Sequence, residues 1–352
     1  MTATGSSQVL SAAASGFERF LTQRGGDPDT VLGSVGLSSR DFDQPTNVVS
    51  LLSYCRMLES AAANSRDLNF GLHYGRQFEP EMLGLIGFVA LASPNVGAAL
   101  TNFIDLFPLH QNGTETRIAV NGNLLRMEYR ILDAGIVHRR QDAEFTISAF
   151  ANVAKRCLGN RFQLVQVDFE HPQPPSANEH HQLFDADVAF SQRTNALVLR
   201  IEDLATPIPD GNVQLLDVLR SSLQSVSCKQ SHYDLVTRVR AEVRSRLANQ
   251  VINLDRVADA LGVTRWNLQR QLANKGLTYS TLIDDVRRDL AADYIGQRHI
   301  PLSEVAFLLG YSEQSAFSRA FRNWHAVSPQ AFRRDLLKRE SRSRGGAIQF
   351  DR

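Results

Sequence analysis

The chain has 352 residues, 43% hydrophobic and 21% charged, with a formal net charge of +1. That composition excludes disordered and collagen-like classes, and the length predicts two domains, because single cores seldom grow past roughly 250–300 residues. The near-neutral sum hides an asymmetry: residues 1–234 carry 18 Lys+Arg against 25 Asp+Glu, and residues 235–352 carry 20 against 12. A basic rear third behind an acidic front places any polyanion contact at the back. Cys55, Cys157 and Cys228 form no CxxC pair, so reduced structural thiols are expected and no metal site is assigned. No signal-peptide pattern opens the chain, and its most apolar stretch, Leu83 to Ala92, is far short of the ~20 residues that span a bilayer. A soluble cytoplasmic protein with no membrane partner is the expectation.

In chain order, Ser7 to about Ala63 reads as helical, broken at Gly25-Gly26-Asp27-Pro28, and Leu68 to Leu109 reads as helical with interruptions at Pro80 and Pro94. Thr116 to Val120 and Leu124 to Leu132 read as strands joined by Asn121-Gly122-Asn123, a hairpin signal. Asp142 to Leu158 returns to helical spacing. Phe162 to Phe169 and Ala196 to Ile201 read as strands, and His180 to Phe184 as a short helix. The front part is therefore α+β, closed by a helix from Val213 to Ser227. The expected domains are a sensing or dimerisation domain over 1–230 and an all-α DNA-binding domain over 233–338, with a disordered tail over 339–352.

The rear third contains an internal repeat. Val257-Ala258-Asp259-Ala260-Leu261-Gly262-Val263-Thr264 is echoed 48 residues later by Val305-Ala306-Phe307-Leu308-Leu309-Gly310-Tyr311-Ser312. Beyond the turn the offset becomes 49, so the second turn is one residue longer. In each copy a short apolar-faced helix meets a glycine able to end it in the left-handed conformation. Thr264 and Ser312 then read as N-caps of a second helix, with Leu268 and Leu272, or Phe317 and Phe321, on its inner face. This is a helix-turn-helix pattern, whose second helix enters the DNA major groove. Ser280 to Gly296 reads as one long helix joining the two units.

No acid lies between Asp259 and Asp284. The first recognition helix offers Arg265, Trp266, Asn267, Gln269 and Arg270, and Lys275 suits a phosphate. Arg bonds guanine through O6 and N7, and Gln or Asn bonds adenine. The second offers Gln314, Ser315, Ser318, Arg319 and Arg322, with Glu313 assigned to the helix dipole. A helical bundle with solvated basic faces is the competing interpretation; two capped, acid-poor copies at matched spacing weigh against it.

These residues resemble the AraC/XylS family of bacterial regulators. The most specific run is Gly310 to Arg322 together with Val327-Ser328-Pro329-Gln330-Ala331-Phe332-Arg333. The resemblance implies base contacts from Arg265, Trp266, Gln269 and Arg270, with Gln314, Ser315 and Arg319 from the second unit. It departs from the family at Trp324-His325, where many members have Phe-Gly, which puts the path after that helix in question. The front part is similar to the ornithine-utilisation and virulence branch with an arabinose-binding-like domain, through Phe70-Gly71-Leu72, Leu83-Gly84-Leu85-Ile86-Gly87 and Phe184 to Phe190. The family implies a small-molecule effector, activation through RNA polymerase, and a possible homodimer. An alternative makes the front domain a ligand-independent dimerisation or protein-interaction module. A DNA-targeted enzyme is a further alternative, but no GxSxG, GxGxxG or Walker-type loop occurs, and no cofactor is assigned. Phe103, Phe107 and His110 are the candidate effector-pocket lining, with the core as their other reading. His171, His180 and His181, near Glu170 and Glu179, are expected to be solvated loop residues.

Overall fold

The computed structural model describes residues 7–133, 135–201, 204–208, 211–226, 235–248 and 252–345, in two compact units, 1–234 and 235–352. The first unit runs β1 (Gln8–Leu10), α1 (Phe17–Gln23), α2 (Pro28–Ser34), β2 (Val48–Ser50), α3 (Leu51–Ser65), α4 (Phe70–Arg76), α5 (Leu85–Leu91) and α6 (Val96–His110). It continues with β3 (Thr114–Asn121), β4 (Leu124–Ile131), α7 (Arg140–Leu158), β5 (Gln163–Asp168), α8 (Ala177–Phe184), β6 (Asp187–Ala189), β7 (Asn195–Arg200) and α9 (Val213–Val226). The second holds α10 (Leu235–Arg244), α11 (Leu254–Ala260), α12 (Arg265–Ala273), α13 (Tyr279–Gly296), α14 (Leu302–Leu308), α15 (Gln314–His325) and α16 (Pro329–Gly345).

A five-stranded sheet, ordered β3-β4-β7-β5-β6, is antiparallel except for the β5–β6 pair. Alternation along β4 sorts its two faces. Leu125, Met127, Tyr129 and Ile131 are buried, while Arg126, Glu128 and Arg130 turn outward into ion pairs with Glu128, Asp168 and Glu115. The hairpin turns where expected: Asn121 pairs with Leu124, and the positive φ at Gly122 supplies the reversal. The start departs from expectation, because Gln8–Leu10 is a strand paired with Val48–Ser50 and Ser11–Ala14 is a 3₁₀ turn. Three-residue strands are too short for an alternation signal, which also hid β6.

Helix α7 is the central element, packing on α3, α4, α5, α6, β4 and β7. Its approach to α4 is set by two glycines. A Cβ at Gly71 would lie 2.0 Å from the Gln141 carbonyl oxygen, and one at Gly75 would lie 2.6 Å from that of Phe145. Around this contact Tyr74 stacks on Phe145 with Phe78 edge-on to both.

Several polar side chains of α7 are nonetheless buried. Gln141 bridges the Gly71 amide and the Leu68 carbonyl. Asp142 accepts from the Tyr129 hydroxyl at 2.6 Å, and burial pushes its carboxyl up to about 7. Glu144 faces Arg140 at 2.7 Å, His180 at 2.8 Å and His171 at 3.5 Å; against the burial that would raise it, Arg140 and the two imidazoles bring it down to about 2. His180 and His171 are thus structural partners of a buried carboxylate rather than solvated loop residues; His181 is exposed. The sequence held no cue, since Glu144 lies 36 residues from His180. Among the described residues, no group of three or more His, Cys, Asp or Glu has a geometry able to hold a metal ion, and no helix is long and apolar enough to cross a membrane. Cys55 and Cys157 are buried free thiols; Cys228 lies outside the described residues.

Phe103, Phe107 and His110 lie on α6, each at most 3% exposed. Their rings form one cluster with Phe150 and Tyr129 at centroid distances of 5.0 to 6.1 Å. Desolvation lowers His110 to about 4, so its ring is neutral in this setting. Helix α16 runs through Gly345 and so enters the stretch expected to be a disordered tail from 339; residues 346–352 lie outside the described residues.

Candidate nucleic-acid interface

In the first helix pair, the Asn253 side chain caps α11 by accepting from the Asp255 amide, and Val257 and Ala258 are buried. Gly262 takes φ +68° and the Val263 amide returns to the Ala258 carbonyl, which stops the helix within one turn. Thr264 caps α12 by accepting from the Asn267 amide at 3.2 Å. Leu268 and Leu272 then face inward, fully buried.

The second pair repeats the turn but not the cap. Gly310 has φ +75° and the Tyr311 amide returns to the Ala306 carbonyl. Ser312, expected as the N-cap, lies one residue too early. Glu313 occupies the cap position and makes no side-chain cap bond; its carboxylate instead accepts from the Ser315 hydroxyl at 3.0 Å. The extra turn residue seen in the repeat offset accounts for this displacement. Phe317 and Phe321 are buried on the inner face of α15. Helix α13, capped by Thr278 and Thr281, packs on both α14 and α15 and buries Leu282, Val286, Leu290 and Ile295.

The outer face of α12 presents Arg265, Trp266, Gln269 and Arg270, all exposed. Trp266 is 65% exposed, and the Arg270 guanidinium sits 4.5 Å over its ring, which restricts the rotamers of a long side chain before any partner arrives. Arg265 pairs with Asp255 of α11 at 3.1 Å. Asn267 is only half-exposed and its side-chain oxygen accepts from Gln271, so it points along the helix. Lys275 is exposed just beyond α12. On α15, Gln314, Ser315, Arg319 and Arg322 are exposed and Ser318 is half-buried.

Several basic residues counted in the rear third are committed internally. Arg287 of α13 donates to the carbonyls of Leu309 and Gly310 and stacks 4.4 Å over Tyr311, locking the second turn. Arg333 of α16 donates to the carbonyls of Ile295 and Ile300. Arg240 pairs with Asp289 and Asp285, and Arg246 with Glu242. The turn after α15 is retained without glycine: Ala326 adopts φ +59°, and His325 stacks on Phe321 at 4.4 Å and packs against Phe332 at 5.3 Å.

Comparison with known proteins agrees with this architecture. Residues 25–208 match the family described as the arabinose-binding domain of AraC transcription regulator, N-terminal, and residues 257–335 match a helix-turn-helix domain. The ornithine utilization regulator of Pseudomonas aeruginosa is 27% identical over 296 residues, 83% of this chain and 86% of that protein. The HTH-type transcriptional regulator VirS of Mycobacterium tuberculosis is 26% identical over 324 residues, 90% of this chain and 94% of its own. The regulatory protein SoxS of Escherichia coli is 32% identical over 109 residues, 30% of this chain but 99% of its own.

Proposed function

The chain belongs to the AraC-type transcription regulators that join an arabinose-binding-like domain to a helix-turn-helix domain, and from that premise we propose that it is an activator whose operator binding is controlled by a small molecule taken up by its front domain. Its relatives are named as a regulator and as an HTH-type transcriptional regulator, not as enzymes. The single observation behind the contact assignment is the outer face of α12, where Arg265, Trp266, Gln269 and Arg270 are exposed together on a helix whose inner face is locked into the core. Asn267 and Lys275 flank it, and Gln314, Ser315, Ser318, Arg319 and Arg322 of α15 supply the second reader. The effector acts by favouring one arrangement of the chain over another, since a ligand without that differential affinity shifts nothing. RNA polymerase is the expected partner of an activator and the cytoplasm the compartment; a homodimer is a possible assembly that two reader units in one chain do not require.

The test is enrichment of duplexes from a random-sequence pool by the full chain. A defined sequence should emerge, and Arg270→Ala should weaken its binding by about 1–3 kcal/mol while relaxing selectivity at one base pair. Enrichment of no sequence would overturn the assignment. The close ring packing of Phe103, Phe107 and His110 favours a second reading, in which the front domain is a ligand-independent dimerisation module. Thermal shift of the full chain against metabolites separates the two: a ligand at 100 times its Kd stabilises by about 2.7 kcal/mol.

A further inference from the structure

Arg265 and Asp255 face each other across the first helix pair. Arg265 Nη1 lies 3.1 Å from one carboxylate oxygen of Asp255 and 3.4 Å from the other, with both side chains more than half exposed. The backbone of Asp255 is fixed in the cap of α11, where its amide donates to the Asn253 side chain. Its carboxylate places a negative charge beside the first residue of a helix whose own sequence, and the stretch on to Asp284, contains no acid.

We propose that Asp255 is a positioning residue that sets operator selectivity: it tethers the Arg265 guanidinium to α11, keeping it off non-operator phosphates and leaving its other edge for a base. The inference rests on the reading of α12 as the recognition helix. Its chemistry follows from the shape of the guanidinium, which presents five donors in a planar fork. The pair with Asp255 uses Nη1 alone, so the edge formed by Nε and Nη2 retains the two-donor geometry that matches guanine O6 and N7. Non-operator binding is governed by a different quantity. It depends on how many cationic side chains neutralise phosphates and release counterions, about 0.9 in the salt slope per contact. An arginine paired with a carboxylate must give up that pair before it joins the sum, so it adds less to it. Asp255 therefore weakens binding to arbitrary DNA more than binding to the operator.

The experiment compares the full wild-type chain with Asp255→Asn, Arg265→Gln and the double variant. The probes are a random-sequence duplex pool and the duplexes that the wild type enriches from it. Asp255→Asn should bind the pool several-fold more tightly and steepen its salt slope by up to about 0.9, an extra loss of up to roughly 3.5-fold between about 50 and 200 mM salt. Its preference for the enriched duplexes should fall. In the Arg265→Gln background the same substitution should leave the slope unchanged, because no guanidinium is released. An Asp255→Asn chain with wild-type slope and selectivity, or one whose slope steepens equally without Arg265, overturns the proposal. A wild type that enriches no duplex overturns the recognition-helix reading and this proposal with it, whereas an enriching wild type with an unaltered Asp255→Asn overturns this proposal alone.

Discussion

Arg287 is a basic residue in a DNA-binding domain, and its charge alone would assign it to a phosphate. Its side chain is instead 18% exposed and turned inward. It donates to the Leu309 carbonyl at 3.0 Å and, more weakly, to the Gly310 carbonyl at 3.3 Å, while its guanidinium covers Tyr311 at 4.4 Å. One good charge-assisted hydrogen bond contributes about 1.5–3 kcal/mol, and the ring contact adds about 0.5–1. Arg287→Ala should therefore destabilise the second unit by about 2–4 kcal/mol, or roughly 8–15 °C in melting temperature for a unit of this size. Both tryptophans, Trp266 and Trp324, lie in that unit, so tryptophan fluorescence of the full chain follows its melting without interference from the front. Arg287→Lys should fall between wild type and Ala, since a single ammonium keeps the charge but loses the planar fork. Neither variant should change the salt slope of DNA binding at temperatures where the unit is folded. Arg287→Ala that melts like wild type, with a slope shallower by about 0.9, would refute the reasoning and return the residue to the DNA face.

Gly71→Ala should destabilise the front domain by about 1–3 kcal/mol or more, because the added methyl meets the fixed backbone of α7 rather than a movable side chain; loss of hydrogen-exchange protection in α4 and α7 peptides is the readout. Ala326→Gly should stabilise the second unit by up to about 1 kcal/mol, the left-handed strain at φ +59° outweighing the added freedom of the unfolded chain; an unchanged or lower tryptophan melting temperature would contradict this. Asp142 titrates near 7 in the fold against a usual 3.8, so the stability held by its protonated form is fully present below about pH 3.8 and lost as pH rises through 7. Asp142→Asn escapes that loss, and its exchange protection relative to wild type should grow from pH 5 to pH 8 and then level off. His110 and His171, both lowered to about 4 by burial, have the opposite sense: their contribution is present above the ordinary 6.5 and lost as pH falls through 4. In the Asp142→Asn chain that trend should show as protection rising between about pH 4.5 and 6.5, above the window in which the lowered Glu144 contributes.

What could be read from the chain was what local physics dictates. The two glycine turns carry their own conformational demand, and Gly262 and Gly310 take the positive φ that a sharp helix stop requires. The hairpin at Gly122, the length of α7 and the inward leucine and phenylalanine pairs of α12 and α15 follow from period and turn chemistry in the same way. The Thr264 cap was legible for the same reason, whereas Ser312 was misplaced because a one-residue insertion moves a cap without changing its residue type. The short strands β1, β2 and β6 were not legible, since their pairing partners lie far off in sequence or flank a loop.

Charge is where sequence and structure part most sharply, for a physical reason. A count treats every Arg as a free cation, but a guanidinium is also a strong donor for orphan carbonyls at helix ends. The second unit has many such ends, because it is built from seven helices joined by tight connections among the described residues. Arg287 and Arg333 satisfy carbonyls at two of those junctions, while Arg240 of α10 is neutralised by Asp289 of α13 and Arg246 by Glu242 one turn earlier. Of the cations that do face outward, Arg265, Arg270, Arg319 and Arg322 lie on α12 and α15. Two of these are themselves held, Arg270 by the ring of Trp266 and Arg265 by Asp255. A held arginine loses less rotamer freedom when it meets a base and is less available to a phosphate that passes at the wrong angle. With α12 as the proposed recognition helix, selectivity would depend as much on what restrains each guanidinium as on how many there are, and the restraints sit on residues, one of them an acid, that a search for basic character passes over.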